Sequence, residues 1–279
     1  MRTQLGSVWE KRSGFSLLEL LIVIVIIGIL VGLLFVVLGP TTRSLRVTEV
    51  KAEFARMETA LASFESEFGT FPPSSILLTE DPSSQAWDPK SQSVLRRMFV
   101  PDIDFNAKTD FNDDGDTTDV IQLTSSECLV FFLGGMRTGT TLSGFSRNKE
   151  KPFARGGANR IDPFYTLDTA RFIDNDGDGM PEYRDLAASD PVAIIYASSN
   201  SGQGYQDSDG SVAHYHQSDG ATAWNENTYQ LISPGADADF GFVSEPNPFV
   251  MLTWTDGSNV TGAQSDNITN FARGTLGGQ

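Results

Sequence analysis

The chain of 279 residues is strongly acidic: 36 Asp and Glu residues against 20 Lys and Arg residues give a formal net charge of -16. Hydrophobic residues make up 39% of the chain, which suffices for a folded core and argues against wholesale disorder. The acidity argues against nucleic acid as a partner, because phosphate backbones are bound by clustered Lys and Arg. The single cysteine excludes an intramolecular disulfide and a thiolate metal cluster.

The N-terminus differs from the rest of the chain in charge and hydropathy. Residues 1–14 carry three basic side chains and one acidic one, and the 19 residues from Leu20 to Leu38 are all apolar or glycine. A helix from Phe15 to Leu38, rising about 1.5 Å per residue, is long enough to cross a bilayer core of about 30 Å. The basic residues predict a cytoplasmic N-terminus, with the acidic remainder beyond the membrane.

One carboxylate, Glu19, interrupts the apolar face near its start. An ionisable side chain inside a membrane segment is costly unless it is paired, so we interpret Glu19 as functional. A signal anchor with a glutamate near the membrane interface is the alternative.

Residues 14–19, Gly-Phe-Ser-Leu-Leu-Glu, followed by an apolar helix, resemble the class III signal of type IV prepilins and type II secretion pseudopilins. The resemblance implies a leader peptide over residues 1–14, cleavage between Gly14 and Phe15 by a prepilin peptidase, and N-methylation of Phe15. It also implies a transmembrane and assembly helix over residues 15–39. In that helix, Glu19 would neutralise the N-terminal amine of a neighbouring subunit.

Beyond Gly39-Pro40 the spacing of apolar residues still predicts a helix. One stripe repeats at steps of four and three residues: Val50, Phe54, Met57, Leu61, Phe64 and Phe68. We expect residues 40–69 to pack on the head, with a kink or local melting at Gly39-Pro40. A short dimeric coiled coil is the alternative. Gly69 and the prolines after it end the helix.

Residues 70–279 are predicted to form the head. The segment 74–89 is loop-like, and Ser91–Val100 has the pattern of a short helix. The sequence Thr-Ser-Ser-Glu at residues 124–127 is a capping box, which predicts an apolar helix ending at Gly134-Gly135. Cys128, within that helix, is predicted to be a buried packing residue.

The second half of the chain is strand-like. Three β-prone runs are bounded by turn residues: Pro191–Ser198, Thr228–Ser233 and Phe249–Thr255. One long helix followed mainly by strands predicts an α+β fold. We therefore expect a pilin-like architecture, in which a long N-terminal hydrophobic helix packs on an antiparallel β-sheet head. A large insertion is expected at about residues 75–190.

The twelve residues 174–185 resemble a calcium loop, in which alternate carboxylates converge on one cation and a glycine at position six permits the turn. The candidate ligands are Asp174, Asp176, Asp178, Glu182 and Asp185. A hydrated acidic turn is the alternative. Residues 110–116 repeat the early spacing but lack an acidic residue at position twelve. They give a weaker set of candidates: Asp110, Asn112, Asp114 and Asp116.

Residues 229–237 and 266–271 resemble the calcium-binding β-region of type II secretion major pseudopilins. The resemblance implies Asp237 and Asp266 as carboxylate ligands and Ser233 as a carbonyl or hydroxyl ligand. A cation could close the C-terminal loop that type IV pilins often close with a disulfide, which one cysteine cannot form. His214 and His216 could bind a metal, but their polar surroundings predict solvent exposure.

The leading hypothesis is a prepilin that polymerises as a structural subunit of a type II secretion pseudopilus or a type IV pilus-like filament, with a calcium-stabilised head and no chemistry of its own. The implied partners are copies of itself, the prepilin peptidase, an inner-membrane platform protein, an assembly ATPase and minor pseudopilins. The implied location is the inner membrane, single-pass, with the N-terminus cytoplasmic and the head periplasmic. After assembly the subunit would lie in a periplasmic or surface filament.

Two alternatives stay open. A minor pilin or surface adhesin could use the same assembly signal. A membrane-tethered enzyme is the other, although the chain has no Gly-x-Ser-x-Gly, His-Glu-x-x-His or P-loop motif.

Overall fold

The structure, a computed structural model, describes residues 16–99, 103–188, 190–205, 213–217, 222–241, 251–253 and 262–278, without the side chains of residues 33–43 and 251–253. The predicted leader and the predicted cleavage site Gly14-Phe15 lie outside these residues. The chain divides into two units, residues 1–45 and residues 46–279. The second unit is the head.

The helix α1 spans Leu17–Phe68. It is helical through Gly39 and Pro40, so the local melting predicted at that dipeptide is absent. Proline has no backbone N–H, so Pro40 removes one helical hydrogen bond from α1. The described side chains of the predicted membrane run stop at Gly32.

Among the described residues, no helix combines the length and the apolar content that crossing a membrane requires.

The remaining helices and strands belong to the head. The helices are α2 (Pro89–Met98) and α3 (Ser125–Gly134), with short 3-10 turns at Thr169–Arg171 and Gly262–Asp266. The strands are β1 (Ser75–Thr79), β2 (Val120–Thr124), β3 (Arg137–Thr138), β4 (Thr141–Leu142), β5 (Phe145–Ser146), β6 (Arg160–Ile161), β7 (Phe172–Ile173), β8 (Glu182–Tyr183), β9 (Ile195–Ser198), β10 (His214–His216), β11 (Tyr229–Ser233), β12 (Met251–Thr253) and β13 (Ile268–Thr269).

The apolar stripe of α1 is buried in the head, as its spacing predicts. All six side chains from Val50 to Phe68 are at most 9% exposed and share one apolar cluster with Leu129 of α3, Leu231 of β11 and Ile268 of β13. Burying each large apolar side chain contributes about 1.5–3 kcal/mol. The head therefore covers the stripe that could otherwise form a coiled coil.

α2 begins at Pro89, two residues before the predicted start at Ser91, and α3 follows its predicted capping box. Asp88 caps α2, because its Oδ2 accepts a 2.8 Å hydrogen bond from Ser91 N. Glu127 Oε2 accepts a 2.8 Å hydrogen bond from Thr124 N, which confirms the capping box of α3. Cys128 is buried, as predicted.

The loop predicted over residues 74–89 is wrong at its start. β1 occupies Ser75–Thr79 and pairs antiparallel with β2, Ile76 facing Leu123 and Leu78 facing Ile121. Ile76 and Leu78 are buried, so this short apolar face is satisfied by a partner far along the chain. Local composition, dominated by flanking Ser, Pro and Asp, does not reveal such a partner.

The described strands form several small sheets, which gives an α+β fold. The largest is antiparallel, with the strand order β13-β11-β9, and every side chain of β11 is buried. The expected antiparallel sheet is therefore present, and β10 and β12 form an additional pair that is parallel. Residues 75–190 supply α2, α3 and β1–β8, and Leu129 and Phe132 of α3 belong to the main core.

Candidate functional site

The first described turn of α1 contains Glu19. Its Oε2 accepts a 2.8 Å hydrogen bond from Ser16 N, and Ser16 Oγ accepts a 3.2 Å hydrogen bond from Leu18 N. Both side chains thus satisfy N–H groups that a helix start leaves without partners. Glu19 is exposed.

The described part of the first unit has an apolar surface. The large hydrophobic side chains from Leu17 to Val31 are all at least 43% exposed. A continuous apolar surface of this kind marks an interaction site, because soluble monomers seldom expose one.

The loop at residues 174–182 is organised by its own carboxylates. Asp174 accepts hydrogen bonds from Gly177 N at 2.8 Å and Gly179 N at 3.2 Å, and both glycines have positive φ. Asp178 Oδ1 accepts a 2.7 Å hydrogen bond from Met180 N. Glu182 accepts hydrogen bonds from the backbone N–H and the side-chain amide of Asn175. The loop is therefore a sequence of turns whose acceptors are carboxylates.

Three carboxylates come together at this loop. Glu127, Asp176 and Asp178 each offer one oxygen, and these oxygens lie within 4.8 Å of one another. Glu127 is the third helical residue of α3 and is 2% exposed. Its Oε2 accepts the hydrogen bond from Thr124 N, whereas its Oε1 is buried without a hydrogen-bond partner. Sequence reasoning assigned Glu127 to the capping box alone and missed its place in this cluster.

The carboxyl groups in and next to this cluster have raised pKa values. Burial and the negative charges of Asp178, Asp176 and Glu182 together raise the pKa of Glu127 to about 8, although the hydrogen bond from Thr124 N acts in the opposite direction. Burial, together with the charges of Asp176, Asp174 and Glu182, likewise raises the pKa of Asp178 to about 6. Burial also raises the pKa of Glu182. Without a cation, the folded cluster therefore holds protons that free carboxylates would release at the same pH.

The last predicted ligand of this loop lies elsewhere. Asp185 is buried, and its Oδ1 accepts hydrogen bonds from Ala187 N at 2.6 Å and Ala188 N at 2.9 Å. After Glu182 the chain is extended, because β8 pairs with β7 and Arg184 bridges to Ala193. If this segment were helical, position twelve would turn back toward the loop. Because the segment is extended, Asp185 lies away from the loop. Asp174 is also outside the group of three.

The loop at residues 110–119 differs from the loop at residues 174–182, although the two begin with the same spacing of candidate ligands. Arg155 binds Asp110 with two hydrogen bonds of 3.1 Å and lies 2.7 Å from Asp113 Oδ1. Burial opposes ionisation of Asp110, but the hydrogen bonds from Arg155 and from Asp113 N lower its pKa overall. Arg155 therefore pairs with Asp110, the carboxylate that the sequence predicts as a cation ligand.

A second group of three carboxylates includes residues of this loop. The ligand oxygens of Glu80, Asp116 and Asp119 lie within 4.8 Å of one another. Both oxygens of Glu80 have partners, since they accept hydrogen bonds from Phe111 N at 2.5 Å and Asp119 N at 3.3 Å. Of the weaker predicted ligands, Asp116 is in this group. Asn112 instead donates to Asp119 Oδ2 and to the carbonyl of Asp178, and Asp114 accepts from Asp116 N.

The C-terminal segments predicted to share a calcium ion lie side by side. Asp266 Oδ2 accepts hydrogen bonds from Ala236 N at 2.7 Å and Asp237 N at 3.2 Å, and Asp266 is buried. Ser233 Oγ accepts a 3.1 Å hydrogen bond from Gly235 N. The Asp237 carboxylate is exposed and accepts from Asp239 N. Among the described residues, neither aspartate belongs to a group of three metal-ligating side chains.

Helix α1 also holds the C-terminal segment. Lys51 Nζ donates hydrogen bonds to the carbonyls of Thr269 and Ala272, and Asn270 Nδ2 donates a 3.1 Å hydrogen bond to Glu58 Oε1. Burial lowers the pKa of Lys51 to about 8, against the opposing effect of Glu58. Lys51 and Glu58 lie seven residues apart on one face of α1. This spacing is the sequence signal for the contact with the C-terminal segment, and the sequence-based predictions missed it.

The prediction that the two histidines are solvent-exposed is wrong. His214 and His216 are each 7% exposed, because β10 is paired with β12. Their Nε2 atoms lie 2.8 Å apart, and the His214 ring stacks on Tyr205 at 4.6 Å. Neither histidine belongs to a group of three potential metal ligands in the described part of the chain.

Comparison with known proteins gives one finding. The family model described as the prokaryotic N-terminal methylation motif matches residues 9–35. The match covers Gly14, Phe15 and Glu19 and supports a type IV pilin-like prepilin. None of the curated proteins and none of the solved structures matches the chain.

Proposed function

We propose that the protein is a prepilin that is cleaved between Gly14 and Phe15, methylated on the new N-terminus, and then polymerised as a structural subunit. The product is the pseudopilus of a type II secretion system or a type IV pilus-like filament. The observation that carries this proposal is the methylation motif at residues 9–35, which contains Glu19 in the first turn of α1.

The apolar surface of the first unit supports polymerisation. The exposed side chains from Leu17 to Val31 require an apolar environment. We assign that environment to the inner membrane before assembly, with the N-terminus cytoplasmic and the head periplasmic. After assembly, the same side chains would pack against the equivalent helices of other copies in a periplasmic or surface filament.

Glu19 would select the register of each added subunit. A carboxylate in an apolar filament core is stabilised when a cation comes close to it. Cleavage before Phe15 would create such a cation, the ammonium group of a neighbouring copy. The filament would then need no catalytic residue in the subunit itself, because the work is done by a prepilin peptidase, an inner-membrane platform protein and an assembly ATPase, with minor pseudopilins as further partners.

A head that projects from the membrane or the filament would need a firmly held C-terminal segment. The buried stripe of α1 and the hydrogen bonds from Lys51 fix the C-terminal segment to that helix. We propose that calcium at Ser233, Asp237 and Asp266 adds to this closure. The carboxylate of Asp266 already lies against the turn that contains Asp237.

Co-expression with a prepilin peptidase tests the proposal. The full chain should lose its leader with the active peptidase and keep it with a peptidase whose catalytic residues are replaced. A Gly14→Val variant should stay uncleaved, and a Gly6→Val variant, altered within the leader, should be cleaved as the wild type is. Cleavage that is unaffected by Gly14→Val contradicts the assigned site.

A further inference from the structure

We propose that Glu127, Asp176 and Asp178 form a calcium site that fixes the loop at residues 174–182 to the N-terminus of α3. The site is separate from the C-terminal calcium site described above and does not rest on the proposed function. Glu127, which no calcium-loop pattern includes, is its buried ligand.

The distances between the three carboxylates suit a single cation. Their oxygens lie within 4.8 Å of one another. Calcium binds oxygen ligands at about 2.3–2.6 Å, so two oxygens on the same ion lie at most about 5 Å apart. One ion placed among these three groups can therefore reach all of them through small rotations of the side chains.

The second observation is the unsatisfied oxygen of Glu127. The side chain is 2% exposed, and Oε1 has no hydrogen-bond partner, while Oε2 is held by Thr124 N. Buried polar atoms almost always have a partner, so each exception requires an explanation. A cation shared with Asp176 and Asp178 supplies the missing partner of Oε1.

The loop at residues 110–116 has the same early spacing of candidate ligands, but an arginine neutralises part of its charge. At residues 110–113, the guanidinium of Arg155 neutralises both Asp110 and Asp113. In the described part of the chain, no Lys or Arg forms an ion pair with Glu127, Asp176 or Asp178. Arg137 lies nearby, but its Nη2 donates to the carbonyls of Asn112 and Gly179. A bound cation would do at residues 174–178 what Arg155 does at residues 110–113.

The chemistry of the donors selects calcium. All three ligands are carboxylates, which hard cations prefer, and neither histidine nor cysteine belongs to the group. Magnesium requires near-ideal octahedral geometry with shorter bonds, whereas calcium accepts irregular sets of oxygens. The buried Glu127 at the N-terminus of α3, the exposed Asp176 and the half-buried Asp178 supply an irregular set.

Binding would connect several parts of the head. Ser126, next to Glu127, accepts a 2.9 Å hydrogen bond from Tyr183 N of β8. Asn112 donates a 3.1 Å hydrogen bond to the carbonyl of Asp178, and Arg137 donates to the carbonyl of Gly179. A cation at the cluster would therefore order the loop that these bonds already attach to α3 and to residues 110–119.

The test is calcium titration of the full chain in detergent after treatment with EDTA, followed by calorimetry and thermal unfolding. The variants are Glu127→Gln, which retains an acceptor for Thr124 N, and Asp176→Asn, which changes an exposed turn residue and should fold normally. We expect calcium to raise the Tm of the wild type. Each variant should weaken binding at one site by about tenfold or more, because calcium affinity follows the charge of the ligand set.

The control is Asp266→Asn, which affects only the C-terminal segment. Retention of the Glu127-dependent calcium response in Asp266→Asn supports the proposal. The proposal is overturned if the wild type shows no calcium response, or if Asp176→Asn and a folded Glu127→Gln both bind calcium as the wild type does. It is also overturned if magnesium at equal concentration produces the same response. Leader cleavage and methylation are measured separately, so failure of either leaves this result interpretable.

Discussion

The backbone N–H of Ser16 donates a 2.8 Å hydrogen bond to Oε2 of Glu19, one turn further along α1. This carboxylate thus caps its own helix in the single chain, and the proposed function gives it a second role toward the amine of a neighbouring copy. The cap needs only an acceptor oxygen, whereas the neighbour's amine needs a negative charge. The two roles can therefore be separated by one substitution.

Glu19→Gln should retain leader cleavage and abolish filament assembly. The amide oxygen of glutamine still accepts the hydrogen bond from Ser16 N, but it cannot neutralise an ammonium group in an apolar environment. The measurement is the amount of subunit recovered in sheared filaments relative to the amount in the membrane. Glu49→Gln, an exposed change on the same helix, is the matched control and should assemble. Normal assembly of Glu19→Gln would show that the charge is not required.

Lys51→Met should destabilise the head and loosen its C-terminal segment. The substitution removes the donor to the carbonyls of Thr269 and Ala272, and hydrogen bonds that involve a charged group contribute about 1.5–3 kcal/mol. Denaturant unfolding of the full chain should show a loss of that size, with faster proteolysis near the C-terminus. Lys149→Met, which alters an exposed lysine, should change little. Equal stability of the two variants would contradict the role given to Lys51.

Glu53→Ala should be among the most destabilising single changes in α1. Glu53 is 2% exposed and forms two hydrogen bonds with Arg171, whose guanidinium also lies 4.0 Å from the Tyr183 ring. Removing one partner of a buried ion pair costs about 3–5 kcal/mol, since the other charge stays buried. The measurement is the free energy of unfolding, with the exposed Glu49→Ala as control. A loss below about 1 kcal/mol would contradict the structure at this pair.

The metal-free chain should lose stability as the pH rises from about 5 to about 8. The pKa of Glu127 is raised to about 8 by burial and by Asp178, Asp176 and Glu182, and that of Asp178 is raised to about 6. In this range the folded chain holds protons that the unfolded chain has released, so the free energy of unfolding falls with increasing pH. Thermal unfolding in EDTA across this range measures the slope. Glu127→Gln should flatten it, and an unchanged slope would contradict the assigned burial.

Local signals predicted the parts of the fold that are determined locally. The stripe from Val50 to Phe68 is readable because helical spacing repeats within one element. The cap at Thr124 and Glu127 is readable because both partners lie within one turn. The partner of β1 and the burial of His214 and His216 depend on strands far along the chain, so local composition gave the wrong result.

The same limit explains the outcome at the acidic loops. The spacing of Asp174, Asp176 and Asp178 identified a loop of turns, but the groups that meet these carboxylates come from other elements. Glu127 of α3 meets Asp176 and Asp178, whereas Arg155 meets Asp110 in the other loop. A loop pattern defines the donors that one segment offers, whereas tertiary structure decides whether a carboxylate, an arginine or a cation completes the site.

Mass spectrometry of the N-terminal peptide, taken from chains recovered in filaments or membranes of a cell that contains the assembly system, tests the central claim most directly. The account predicts a peptide that begins at Phe15 and carries one methyl group on its amine. A mature chain that retains residues 1–14, or that begins at any other residue, would contradict the assignment as a prepilin.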